Sequence, residues 1–155
     1  MSSQTLAANA ITERSLTAPG PHLLLFDGVC PLCHRAVRFL LAIDRRRRVC
    51  FAPLQGQTAK RVAERHHFSL DLTTAVYVRN LCQSDERLYF ESNAVLRAVA
   101  DSGGLWGFLA TLLRIIPLPL RNFAYRFIAS RRFRWFGRYD SCPLPKPEDR
   151  ARFLP

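Results

Sequence analysis

Cys30 and Cys33 stand two residues apart, and their setting gives that spacing a chemistry. A short apolar run, His22 to Phe26, precedes them, and Asp27-Gly28 breaks it. Pro31 suits the first turn of a helix, where its missing N–H costs nothing. Cys30 therefore falls at a helix N-terminus, where unpaired N–H groups and the helix dipole favour a negative sulfur and lower the thiol pKa. Cys33 shares a helix face with Val37, Leu40 and Leu41, at i, i+4, i+7 and i+8, and turns inward. The pattern predicts an exposed nucleophile, Cys30, and a sheltered partner, Cys33, that pass through a mixed disulfide and resolve it. Asp27 lies three residues before Cys30. It is read either as a proton acceptor for a cysteine during exchange or as a carboxylate bonding the N–H groups of the 28–30 turn. Its charge raises, and does not lower, the pKa of a nearby thiol.

Two rival chemistries use the same cysteines. With His34 the motif is also C-x-x-C-H, the covalent haem signature. No export signal precedes it, the motif follows an apolar strand inside a βαβ pattern, and Met1 is the only methionine, which leaves the sixth ligand to another histidine. A zinc site would join Cys30 and Cys33 to Cys82, Cys142, His66 or His67, but no second CxxC or HxxxH spacing supports it. Cys50, in an apolar strand, reads as a small buried hydrophobe, and His66-His67 as the end of a helix near its negative pole. Five cysteines with one close pair do not make the disulfide framework of a small secreted domain. The expectation is thiol chemistry with no metal and no organic cofactor.

The elements that must position the motif follow from periodicity and breakers. His22 to Phe26 is a central strand, continuously apolar because both faces are covered. A helix runs from Pro31 to about Asp44, with Ala36, Phe39 and Ile43 widening its apolar sector and Arg35 and Arg38 on the wet side. Arg45 to Arg48 follow as solvated cations at the helix C-terminus. Val49 to Ala52 is a second strand, ended by Pro53. Thr58 to His67 is a helix with Ala59, Val62 and Ala63 inward. Ala75 to Val78 and Leu88 to Phe90 form a hairpin. Ser92 caps a helix carrying Ala94, Val95, Ala98 and Val99, which Gly103-Gly104 ends. The βαβ unit makes its strands parallel and the later pair is antiparallel, so the class is α/β, a mixed sheet with helices on both faces. Two helices follow, Leu105 to Ile116 and Leu118 to about Arg132. The second carries a stripe of Leu120, Phe123, Ala124, Phe127 and Ile128, with Arg121, Arg126, Arg131 and Arg132 largely off it. The first reading of that stripe is a core-facing surface; the second is an interfacial membrane helix, aromatic on one side and basic on the other.

The chain has 155 residues, 48% of them apolar, enough for one domain with a real core. Residues 1–20 read as a flexible tail, 21–103 as the core and 104–155 as a helical extension packed on the same domain. The tail lacks the basic and apolar regions of a secretory signal, and no apolar stretch is long enough to span a bilayer. The simplest placement is cytoplasmic, where a CxxC is more often catalytic than structural. Net charge is +11 from 23 basic and 12 acidic residues. Residues 104–155 carry ten basic and three acidic side chains; the first reading is an arginine-favouring composition spread over a solvated surface, the second a basic C-terminal face that attracts an acidic partner or a membrane surface. Charge alone names no partner, and no specific nucleic acid is predicted.

Leu25-Phe-Asp27-Gly-Val-Cys30-Pro-Leu-Cys33-His resembles the opening motif of the DCC family of thiol–disulfide oxidoreductases, named for an Asp and two Cys. The likeness continues into Phe51-Ala-Pro-Leu-Gln-Gly56, and Cys142-Pro-Leu-Pro-Lys-Pro-Glu-Asp-Arg-Ala-Arg-Phe-Leu154 resembles the closing segment of many members. The resemblance implies a thioredoxin-like fold with helical additions, and disulfide exchange by Cys30 and Cys33 with a protein or small-thiol partner. The family aspartate maps onto Asp27. Thioredoxins place a cis-proline before the third strand, facing the CxxC and binding the substrate backbone. Here that position reads Leu72-Thr73-Thr74-Ala75, which leaves the backbone groups of Thr73 or Thr74 as substitutes.

Overall fold

A strand without a polar side needs cover on both faces, and β1 (His22–Phe26) has it: all five residues are buried. The computed structural model describes residues 20–155, so the tail predicted over 1–20 lies outside the described residues apart from Gly20. β1 sits inside a four-stranded sheet of order β2-β1-β3-β4, with β2 (Val49–Pro53), β3 (Val76–Arg79) and β4 (Arg87–Phe90). β2 runs parallel to β1, pairing His22 with Val49 and Phe26 with Pro53. β3 runs antiparallel to both β1 and β4, the predicted hairpin. The helices are α1 (Pro31–Ile43), α2 (Gln57–His66), α3 (Glu91–Ser102), α4 (Gly104–Leu113) and α5 (Leu118–Phe136). This is the mixed α/β arrangement of a thioredoxin-like fold.

The alternation of β1 sorts the core into two layers. Leu23 and Leu25 pack with Cys50 and Ala52 of β2 and Ala59 and Val62 of α2. Leu24 and Phe26 pack with Val37 and Leu40 of α1 and with Ala94 and Ala98 of α3. α1 keeps the predicted phase, with Val37 and Leu40 buried and Arg35 and Arg38 exposed. Ala36 and Phe39 depart from it: both are exposed, and the Phe39 ring meets Trp106 of α4 edge-on, 5.1 Å between centroids.

The C-terminus returns to the edge of the sheet. The Leu154 N–H donates to the Phe51 carbonyl and the Thr58 N–H to that of Pro155, both at 2.8 Å, and Phe153 bridges to Phe51 in parallel. The outer edge of β2 is thereby covered. A 3-10 turn, Arg150–Arg152, delivers Arg152 into the interior. Its guanidinium pairs with Asp44 at the end of α1 and donates to the Val49 carbonyl from Nε at 3.0 Å and Nη2 at 2.7 Å. Asp44 also accepts the N–H groups of Arg48 and Val49. The start of β2 is thus fixed by a buried ion pair.

Two sequence readings change. Ser92 is not the cap of α3; Phe90 occupies that place, and the buried Ser92 hydroxyl donates instead to Asn122 of α5. The stripe of α5 does not face the core: Leu120, Phe123, Ala124, Phe127 and Ile128 are exposed, and the buried residue is Arg132. α5 grips the body through its opposite side, by Asn122, by the Tyr125 hydroxyl, which accepts the Ala75 N–H at 2.9 Å, and by Arg132. Periodicity locates an apolar stripe; what covers it is a tertiary matter.

Removing Arg152 leaves the Asp44 carboxylate buried without a cation. Arg152→Ala is expected to cost about 3–5 kcal/mol of unfolding free energy. Urea denaturation checks this; a loss below about 1 kcal/mol, the range of an exposed pair, contradicts it.

Candidate active site

The turn between β1 and α1 is closed by a Cys30 N–H donated to the Asp27 carbonyl at 3.3 Å. Cys30 is the N-cap of α1, with extended backbone (φ −94°, ψ 114°). Its carbonyl accepts the His34 N–H at 3.1 Å, the first bond of the helix, and its sulfur accepts the Cys33 N–H at 3.3 Å. The sulfur does what a serine or aspartate oxygen does at other helix starts, taking an N–H that has no partner in the helix. A donor aimed at sulfur favours the thiolate.

Asp27 is buried beneath this turn. Its Oδ1 accepts the Val29 N–H at 3.1 Å and the Gln55 amide at 2.9 Å. Its Oδ2 accepts Arg132 Nη2 at 2.7 Å, and both partners of that pair are 4% exposed. The turn-bonding reading of Asp27 therefore describes the geometry, with a cation added. Arg132 also donates to the carbonyls of Thr73, at 2.9 Å, and Leu72, at 3.3 Å. One guanidinium ties the end of β1 to the segment before β3.

The thiols differ in acidity. Hydrogen bonding from the Cys33 side chain and N–H, with the Arg132 charge behind it, outweighs burial and the Asp27 charge and lowers Cys30 to about 6. The same thiol–thiol hydrogen bond, with burial and the Cys30 charge, pushes Cys33 far upward. Acidity thus follows the predicted order, but exposure reverses it: Cys30 is closed to solvent and Cys33 is half-buried. The C-terminal segment lies against the same turn. The Tyr139 N–H donates to the Val29 carbonyl at 2.9 Å, and the Cys142 sulfur lies so close that a Cβ on Gly28 would be 3.1 Å from it. Cys33 faces inward as its helix phase requires, but it lines a cavity of about 200 Å³ rather than packed core. Leu24, Phe26, Val95, Tyr125, Ile128 and Arg132 share that lining, which is almost wholly apolar.

The remaining candidates scatter. His66 pairs with Glu86, His67 ends α2 in the left-handed region, and Cys82 accepts from Arg65 at 3.4 Å. Cys50 is buried, which pushes its thiol up. His34 Nε2 lies 2.8 Å from the Gly28 carbonyl and 3.9 Å from the Cys142 sulfur, so Cys142 is the distant cysteine that the fold brings to the turn. Among the described residues, no group of three or more His, Cys, Asp or Glu is arranged to hold a metal ion. The Thr73 substitute for a docking proline is already engaged, because Arg132 takes its carbonyl. Sequence reasoning missed Arg132 and Gln55. Gln55 stands in the Phe51–Gly56 stretch that carried the family likeness, a usable signal; Arg132 is one arginine among many and carried none.

The family described as DCC1-like thiol-disulfide oxidoreductase matches residues 24–138. The chain is 34% identical over 134 residues to the uncharacterized protein YuxK of Bacillus subtilis (strain 168), covering 86% of this chain and 93% of that protein. It is 37% identical over 123 residues to the DCC family protein At1g52590, chloroplastic, of Arabidopsis thaliana, covering 79% of this chain and 69% of that one. No solved structure matches the chain.

Thiolate absorbance near 240 nm in the reduced protein is expected to fall as pH drops through about 6. The step should vanish in Cys30→Ser. Arg132→Gln removes the cation and leaves Asp27 unpaired, both of which raise the thiol, so the midpoint should climb by about one unit or more. Arg132→Lys keeps the charge and should hold the midpoint near the wild-type value. An unshifted midpoint in Arg132→Gln contradicts the electrostatic role of Arg132.

Proposed function

The chain belongs to the DCC1-like thiol-disulfide oxidoreductase family, and on that premise we propose that its Cys30–Cys33 dithiol reduces the disulfide of a protein or small-thiol partner. The observation that carries the proposal is the Cys30 sulfur at the N-cap of α1, accepting the Cys33 N–H and backed by the Arg132 guanidinium. The thiolate is the nucleophile in exchange, so Cys30 attacks one sulfur of the partner disulfide. A Cys30–partner disulfide forms, and the partner's other sulfur leaves as a thiolate and takes up the Cys33 proton. The Cys33 sulfur then attacks Cys30, the second partner thiolate departs, and a Cys30–Cys33 disulfide remains. Two electrons pass from the dithiol to the partner.

Cys30 is closed in the reduced state, so a partner reaches it when residues 137–142 lift from the turn, giving up the Tyr139–Val29 hydrogen bond. Asp27 acts as a positioning residue, since its oxygens already hold the turn, Gln55 and Arg132.

Incubation with glutathione disulfide, followed by intact-mass analysis, tests the order of attack. Cys33→Ser is expected to accumulate a glutathione adduct on Cys30, whereas Cys30→Ser should form its adduct on Cys33 far more slowly at pH 7. Faster adduct formation on Cys33 in Cys30→Ser than on Cys30 in Cys33→Ser contradicts the assignment.

A further inference from the structure

α4 is built inside out. Its buried residues are Gly107 and Ala110, and a Cβ on Gly107 would come within 2.9 Å of the Ala100 carbonyl of α3. Its large residues face away. Leu105, Phe108 and Leu112 recur at i, i+3 and i+7 and are 70, 66 and 51% exposed, and Ile115, in the turn after the helix, is 76% exposed. Leu120 and Phe123, in the first turns of α5, are also exposed, at 60 and 69%. That spacing ordinarily faces a core, and a contiguous exposed patch of this kind marks an interaction site.

The charge around it is one-sided. Residues 104–139 hold seven arginines and no acidic residue. Of these, Arg126 pairs with Glu91 and Arg132 with Asp27, both outside the segment. Arg131 lies over the Phe127 ring, 3.9 Å from its centroid, so cation and aromatic group are presented together. Trp106 and Trp135, the chain's two tryptophans, lie in the same segment and are about half exposed.

We propose that the α4–α5 unit docks the protein onto an anionic lipid bilayer, its apolar stripe in the interface and its guanidinium groups on lipid phosphates. Large apolar groups flanked by arginines, with tryptophan present, suit the boundary between headgroups and acyl chains. A second copy of the chain would set one unopposed arginine cluster against another. A nucleic acid would leave the apolar stripe in water. Among the described residues no single helix is long and apolar enough to cross a membrane, and α4 and α5 pass that test only as a pair bent by 111°. The bend fits helices lying along a surface. Because α5 also supplies Arg132 to the dithiol site, docking holds that site beside the bilayer.

The test uses full-length reduced protein and vesicles of phosphatidylcholine alone or mixed with phosphatidylglycerol. Co-sedimentation with the anionic vesicles is expected to exceed that with neutral ones by about tenfold or more. Tryptophan emission should shift to shorter wavelength on binding. Phe108→Asp/Ile115→Asp/Phe123→Asp should lose about tenfold or more in binding to anionic vesicles, with far-ultraviolet circular dichroism and the Cys30 titration unchanged. Equal binding to both vesicles, undiminished binding of the triple variant, or a stable dimer in light scattering that the triple variant dissociates would each overturn the proposal. The last result would assign the face to a second copy.

Discussion

A carboxylate and a guanidinium that are both shut away from water must satisfy each other, and Asp27 and Arg132 do so across 105 positions of sequence. Asp27 spends its oxygens on the turn N–H, on Gln55 and on Arg132. Arg132 also donates from its two terminal nitrogens to the carbonyls of Leu72 and Thr73, while its buried Nε has no hydrogen-bond partner. The pair therefore fixes the end of β1, the start of α1, the approach to β3 and the seat of α5 at one point. A dithiol placed there inherits a fixed electrostatic setting: an N–H at the sulfur, a cation behind it, and an anion whose effect that cation offsets. The second buried pair, Asp44–Arg152, does comparable work at the other end of α1, where it holds the start of β2.

The site separates acidity from access. Cys30 has the lowered pKa but no exposed surface, whereas Cys33 is the harder to ionise and opens onto an apolar cavity. In a simple exposed CxxC one residue holds both properties. Here the segment after α5 lies along the Val29 carbonyl, and Arg132 of α5 occupies the carbonyls of Leu72 and Thr73 ahead of β3. The helical extension thus shapes the site as much as the sheet does.

What was legible in the sequence was what local pattern determines. The run His22–Phe26, the proline at the start of α1, the short apolar runs of β2 and β3 and the glycine after α3 each specify an element from neighbouring residues alone. Asp27, Cys30 and Cys33 fall together because they share one turn. Arg132 was hidden because its partner is distant and its setting among other arginines looks like a solvated face. The stripe of α5 had the spacing of a core helix, and only the packing of α4 and α5 through their small and polar residues reveals that it points outward. Ser92 had the chemistry of a cap but found Asn122 instead.

The central claim is that Cys30 and Cys33 form one reversible redox couple. Equilibrating the protein in graded mixtures of reduced and oxidised glutathione, quenching in acid and mapping the linked peptides tests it most directly. The account predicts a single reversible two-electron transition, with a Cys30–Cys33 disulfide and a Cys50 that stays reduced throughout. A transition that cannot be reversed, a disulfide joining Cys30 to Cys142 in place of Cys33, or a pair that stays reduced even in the most oxidising mixture would contradict it.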